Sequence, residues 1–255
     1  MGMLNTGSNR RLKSRGFTLL ELLVSIAVIS ILGALLFPVL AGAKRNASRV
    51  TCLNNTRQIN MATLMYGDDH RDAVILSNGF GYYNDWGSYK ASVKSYLNLK
   101  GPDSPSEKIF ACPADTFTYL DSDLSGGPPW KGFRISKALF EDKWTGFSSY
   151  AFNGGNRLEP RQFPALANPG IANTPLTAVK NPARTLLIFE AAARLPFSWH
   201  RPEVDGRGYY RFDDSRNMLG FVDGHVSFMK MYWNGSQAAC MYDPPEGYDY
   251  RWSAN

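Results

Sequence analysis

The sequence predicts an α+β protein in which one long N-terminal helix precedes a loop-rich domain built mainly from strands. Three observations carry that class. Residues 17–43 hold a single charged side chain, Glu21, and a helical pattern continues beyond them to about residue 67. The 23 Gly, 15 Pro and 13% aromatic residues argue for turns and strands over a helical bundle. Further along, 186–190 reads as a strongly apolar strand and 219–228 as a hairpin around Asp223-Gly224.

The long helix comes first. At ~1.5 Å of rise per residue, the 27 residues from 17 to 43 are long enough to cross a hydrocarbon core of roughly 30 Å. The segment before it, 1–16, carries Arg10, Arg11, Lys13 and Arg15 with no acid, four of the six net positive charges in the chain. A basic, polar flank of this kind stays on the cytoplasmic side of a membrane. What remains is close to neutral and gives no electrostatic case for nucleic-acid binding. Glu21 stands near the end of the apolar run, where a carboxylate costs at least a few kcal/mol unless it finds a partner.

Gly16-Phe17-Thr18-Leu19-Leu20-Glu21 resembles the processing site of type IV prepilins and of type II secretion pseudopilins. The resemblance is close over residues 15–45 and looser beyond. It implies that a prepilin peptidase cuts between Gly16 and Phe17 and methylates the new amine of Phe17, and that Glu21 becomes the fifth residue of the mature chain. A Phe17 ammonium beside lipid could be neutralised by Glu21 of a neighbouring subunit, which would set the axial offset between stacked helices. Pro38 matches a proline at which pilin helices commonly bend or melt.

The resemblance also implies an organisation. Residues 1–16 form a cleaved leader and 17–43 a transmembrane and assembly helix. Residues 44–67 continue that helix in amphipathic form, packed on an antiparallel sheet with long loops, within a pilin-like fold. Residues 68–255 form an extracytoplasmic domain. The chain would cross the bacterial inner membrane once, with its leader in the cytoplasm and its domain in the periplasm, before joining a filament. Implied partners are the peptidase, other pilin or pseudopilin subunits and, indirectly, an inner-membrane assembly platform with its ATPase.

Cys52, Cys112 and Cys240 lack CxxC spacing and form no pattern of metal ligands. In an oxidising compartment, one disulfide with one free thiol is the simplest count; three buried reduced thiols is the alternative. The resemblance points to Cys52 with Cys112. The family often carries one cysteine before an Asn-Asn-x-Arg-Gln-Ile run, here 54–59, and another in a Cys-Pro-x-Asp loop, here 112–115.

Along the rest of the chain, Leu53, Ile59, Ala62, Met65 and Tyr66 recur at near-helical spacing, and Gly67 reads as the stop. Asp68 with Asp72, and Asp121 with Asp123, offer too few oxygens for a calcium loop and read as solvated turns. Residues 73–76 read as a short strand and 93–97 as a short helix. The aromatic stretch 78–89 is either packing or an exposed platform for sugars or a partner. Residues 121–175 read as long loops interrupted by a strand at 148–153.

At the hairpin, Asp223-Gly224 predicts a type I′ turn. The segment resembles a C-terminal hairpin of pilin-like proteins of planctomycete and verrucomicrobial type, in which a histidine precedes the Asp-Gly with nine residues between them. Asp213 occupies that place here, so the hairpin is carried over without its chemistry. His200 and His225 read as structural, and 242–255 as an extended surface segment with aromatic anchors. No Gly-x-Ser-x-Gly or other nucleophile motif is present, so no enzyme activity, catalytic residue, cofactor or metal ligand is expected. An alternative to the filament subunit is a membrane-anchored module that binds glycan or protein through the aromatics of 80–89 and 128–150.

Overall fold

In the computed structural model, the described residues are 17–71, 84–116, 118–120, 133–135, 138–154, 170–172, 174–203, 212–235, 239 and 242–255. The leader with Gly16, the strand at 73–76, the aromatics of 78–83 and 128–132, the acids Asp72, Asp121 and Asp123, and Cys240 lie outside them. Two units divide the chain, 1–44 and 45–255.

Helix α1, Leu19–Asp69, begins in the first unit. It is long and apolar enough to cross a membrane, and its apolar window is wholly unburied. Its polar side chains satisfy themselves locally: Ser25 and Ser30 each donate to the carbonyl four residues back, at 2.7 Å. Pro38 lies inside the helix, which continues through it.

In the second unit α1 buries Cys52, Asn55, Thr56, Ile59, Asn60, Ala62, Thr63 and Gly67, a stripe at helical spacing. It is more polar than the predicted one. Ile59 and Ala62 are buried, whereas Met65 is exposed and Leu53 and Tyr66 are half-buried. The reason is what the helix faces. Asn55 donates to the Ala111 carbonyl at 3.1 Å and Asn60 to that of Phe221 at 2.9 Å, so the amides answer loop and strand backbone that would otherwise be orphaned. Thr56 and Thr63 donate back to the Cys52 and Ile59 carbonyls.

Gly67 does not stop the helix. It is buried, and a Cβ there would lie 2.6 Å from Leu176 Cδ1, so its role is close approach. The end comes at Asp69, where the His70 amide reaches the Tyr66 and Gly67 carbonyls and Arg71 takes a left-handed φ of 59°.

The sheet that α1 meets contains β3 (Tyr150–Phe152), β4 (Leu186–Glu190), β5 (Arg216–Phe221) and β6 (Val226–Lys230) in that spatial order, all antiparallel. This is the predicted α+β arrangement. Gly220 sits where α1 comes closest: a Cβ there would be 2.6 Å from Asn60 Oδ1. The β5–β6 turn differs from the predicted one. Gly224 has a φ of 95° and Asp223 does not share its sign, while the Gly224 amide donates to Phe221 O and the Phe221 amide to His225 O. That is a type I turn closed by a Gly bulge, a three-residue loop rather than the two-residue type I′.

β4 is buried along its whole length, which explains its unbroken apolar run. The C-terminal tail, predicted to lie on the surface, contributes to the core instead. The Leu186 amide donates to Arg251 O, Tyr250 and Trp252 are buried, and Trp252 meets Phe189 edge-on with ring centroids 4.9 Å apart. The anchors are aromatic as predicted, but burial of rings of this size makes the tail structural.

Two more strands, β1 (Thr118–Leu120) and β2 (Phe133–Ile135), form a separate antiparallel pair. Helix α2, Asn84–Val93, takes up part of the stretch read as a possible aromatic platform. Its Tyr89 is fully buried and bonded to Ser148, so that ring packs rather than displays itself. A 3-10 turn, Lys94–Leu97, follows and ends at Asn98 with φ of 55°.

Lys90 and Lys94 reach Glu107 at 2.7 and 2.6 Å. Burial works against charging Glu107, but these hydrogen bonds outweigh it and hold its carboxyl below the usual range.

Candidate functional site

The first candidate is the head of α1. Thr18 precedes the first helical residue and Glu21 follows three places on. The Thr18 amide and hydroxyl both donate to Glu21 Oε2 at 2.9 Å, and the Glu21 amide donates to Thr18 Oγ1 at 3.2 Å. This is a reciprocal capping box, which satisfies donors that every helix start leaves unpaired. The Thr-x-x-Glu spacing announces it in the sequence, though Glu21 was read there only as an intersubunit partner. Among the described residues Oε1 takes no hydrogen bond, so the cap occupies half of the carboxylate. Phe17 is exposed beside it, as are the large apolar side chains onward to Leu40.

The second candidate lies inside the 45–255 unit. A disulfide joins Cys52 on α1 to Cys112 in the Cys-Pro loop, with Cα atoms 5.2 Å apart. Two more groups converge on it. Glu190, the last residue of β4, places Oε1 3.4 Å from Cys112 Sγ, and His200 places Nε2 3.5 Å from the same sulfur.

His200 Nε2–H donates to Glu190 Oε1 at 2.8 Å, and the Met218 amide donates to Glu190 Oε2 at 2.9 Å. Both side chains are essentially without solvent contact. A buried carboxylate needs such donors to be tolerable. Phe228 closes the site with its ring edge-on to His200 at 5.9 Å.

Neither Glu190 nor His200 stood out in the sequence as a site residue: the first read as a strand end, the second as structural. They meet the cysteines across separations of 78 and 88 residues, which no local spacing reveals. Asp115, next to this region, accepts from the Ser149 hydroxyl and the Leu139 amide; burial nevertheless pushes its carboxyl up to about 7. Asp213 and His225 do not join the cluster. His225 instead bonds to Asp223 at 2.6 Å on the exposed turn and stacks on Phe221.

Against known families, residues 11–37 match the prokaryotic N-terminal methylation motif. No curated protein and no solved structure matches the chain.

Proposed function

We propose that this chain, whose methylation motif at residues 11–37 is consistent with a type IV prepilin- or pseudopilin-like precursor, is a structural subunit of a type IV pilus or of a type II secretion pseudopilus. The observation that carries the reading is where the motif falls: at the head of an apolar, unburied helix long enough to anchor in a membrane. Prepilin peptidase would cut between Gly16 and Phe17 and methylate Phe17, leaving the leader in the cytoplasm and the domain in the periplasm. The chain is then a substrate of that peptidase and not itself an enzyme.

Assembly with other pilin or pseudopilin subunits, through an inner-membrane platform and its ATPase, would exchange lipid around 17–43 for neighbouring helices. Packing and the few polar contacts drive such exchange, because apolar burial alone is nearly neutral between lipid and helix. The Phe17 ammonium of one subunit and Oε1 of another's Glu21 would supply the polar contact. A capping box already holds that carboxylate in place, so little side-chain entropy is lost when the pair forms.

Filament yield in the sheared fraction tests this. Glu21→Ala should abolish filaments while the membrane-held, processed subunit persists at the wild-type level. Filaments from Glu21→Ala at wild-type yield would overturn the pairing role.

A further inference from the structure

We infer that Cys52, Cys112, Glu190 and His200 form a tetrahedral zinc site when the disulfide is reduced, so that one buried cluster has an oxidised covalent state and a reduced metal-bound state. The four ligand atoms, two Sγ, one carboxylate oxygen and Nε2, lie within 4.8 Å of one another. A tetrahedral centre with Zn–S of about 2.3 Å and Zn–N or Zn–O of about 2.0–2.1 Å sets its sulfur ligands about 3.5 Å from nitrogen or oxygen ligands. The observed separations from Cys112 Sγ are 3.5 Å to His200 Nε2 and 3.4 Å to Glu190 Oε1. Cys112 Sγ therefore already stands at zinc spacing from two other ligands; the sulfur pair has to part, and the Glu190–His200 pair, now hydrogen-bonded at 2.8 Å, has to open to about 3.3 Å around the ion.

The surroundings fit a closed structural site. All four come from different segments: α1, the Cys-Pro loop, the end of β4 and the residues after it. Glu190 is oriented by the Met218 amide on its other oxygen, the kind of outer contact that fixes metal-binding carboxylates. Among the described residues His200 Nδ1 is buried with no hydrogen-bond partner, so no existing bond has to break for the ring proton to move there and free Nε2, and metal ligation offsets the cost of the unpaired N–H. On the outer side, a groove lined by Asn55, Gln58, Pro113 and Phe140 comes up to buried Cys112.

The chemistry balances. A dithiol reductant transfers two electrons and two protons to the Cys52–Cys112 bond, becoming a disulfide itself and leaving two thiols. Zinc then binds two thiolates, one carboxylate and one neutral imidazole, releasing the two thiol protons. The metal thus joins all four segments before oxidation, and the disulfide joins α1 to the Cys-Pro loop after it.

The test uses the full chain in detergent, carrying Cys240→Ser to remove the third thiol. Wild-type cluster, Glu190→Gln and His200→Gln proteins are each purified oxidised, and near-UV circular dichroism checks that each is folded. Each is then reduced anaerobically and titrated with Zn2+ against a chromophoric chelator, and with Co2+ for its visible spectrum. The expected result is one zinc per reduced chain, none per oxidised chain, an intense tetrahedral Co2+ band with thiolate charge transfer, and zinc affinity lowered more than ~100-fold in both variants. No stoichiometric zinc on the reduced chain, or binding unchanged by both variants, would overturn the inference. A variant that fails to fold is replaced by Glu190→Asp or His200→Asn, read in the same way.

Discussion

Glu21 and Glu190 are both carboxylates set among apolar residues, yet the two regions that hold them complete their hydrogen bonding differently. Glu190 is saturated from within its own domain, by the Met218 amide on one oxygen and His200 on the other. Glu21 receives only what its own helix start can give, with both Thr18 bonds on a single oxygen. The domain supplies a donor to each oxygen of its buried acid; the head of α1 keeps a half-used acid and a long exposed apolar surface. Variants in the first region should therefore report on unfolding of the domain, and variants in the second on association.

The largest expected effect within the domain is at the disulfide. Cys112→Ser opens a loop of 60 residues and should lower stability by about 4 kcal/mol on chain entropy, read from urea unfolding. Gly220→Ala forces a methyl group against Asn60 and should lower stability by about 1–3 kcal/mol, without affecting membrane insertion.

Asp115 gives a pH test with a definite sign. Burial raises its pKa from 3.8 to about 7, so between those values the folded state holds a proton that the unfolded state has lost. Its contribution to stability is complete below the lower value and is lost as pH rises through the upper one. Between pH 5 and pH 8 the wild-type chain should lose more urea resistance than Asp115→Asn.

The smallest effect on the domain belongs to the other region. Thr18→Val removes the hydroxyl's part in the cap, so the first turn of α1 should exchange amide protons faster while the domain's urea midpoint stays unchanged. A shifted midpoint would break the contrast between the two regions.

How far the sequence reveals these features follows the range of the interactions. The length of α1, the all-buried strand β4 and the β5–β6 hairpin are legible because periodicity and turn residues are local. The capping box was equally local, in Thr18 and Glu21, but the apolar context drew the glutamate's reading toward a distant partner. Asp223-Gly224 announced a turn without its type, since a bulge differs from a type I′ turn by one pairing.

Other features depend on partners far along the chain. Asn55 and Asn60 are absent from the predicted apolar stripe, and Gly67 reads there as a stop. They are buried because loop carbonyls, β5 and Leu176 come up against them. Trp252 reads as a surface anchor until Phe189 is placed beside it. The Glu190–His200 pair meets the cysteines only through the fold.

The central claim is most directly tested at the amino terminus. The chain, expressed with its cognate prepilin peptidase and recovered from the membrane fraction, is measured by intact mass and by mapping of its first peptide. The account predicts a chain that starts at Phe17 and carries one added methyl group; a chain that still starts at Met1 with active peptidase present would contradict it.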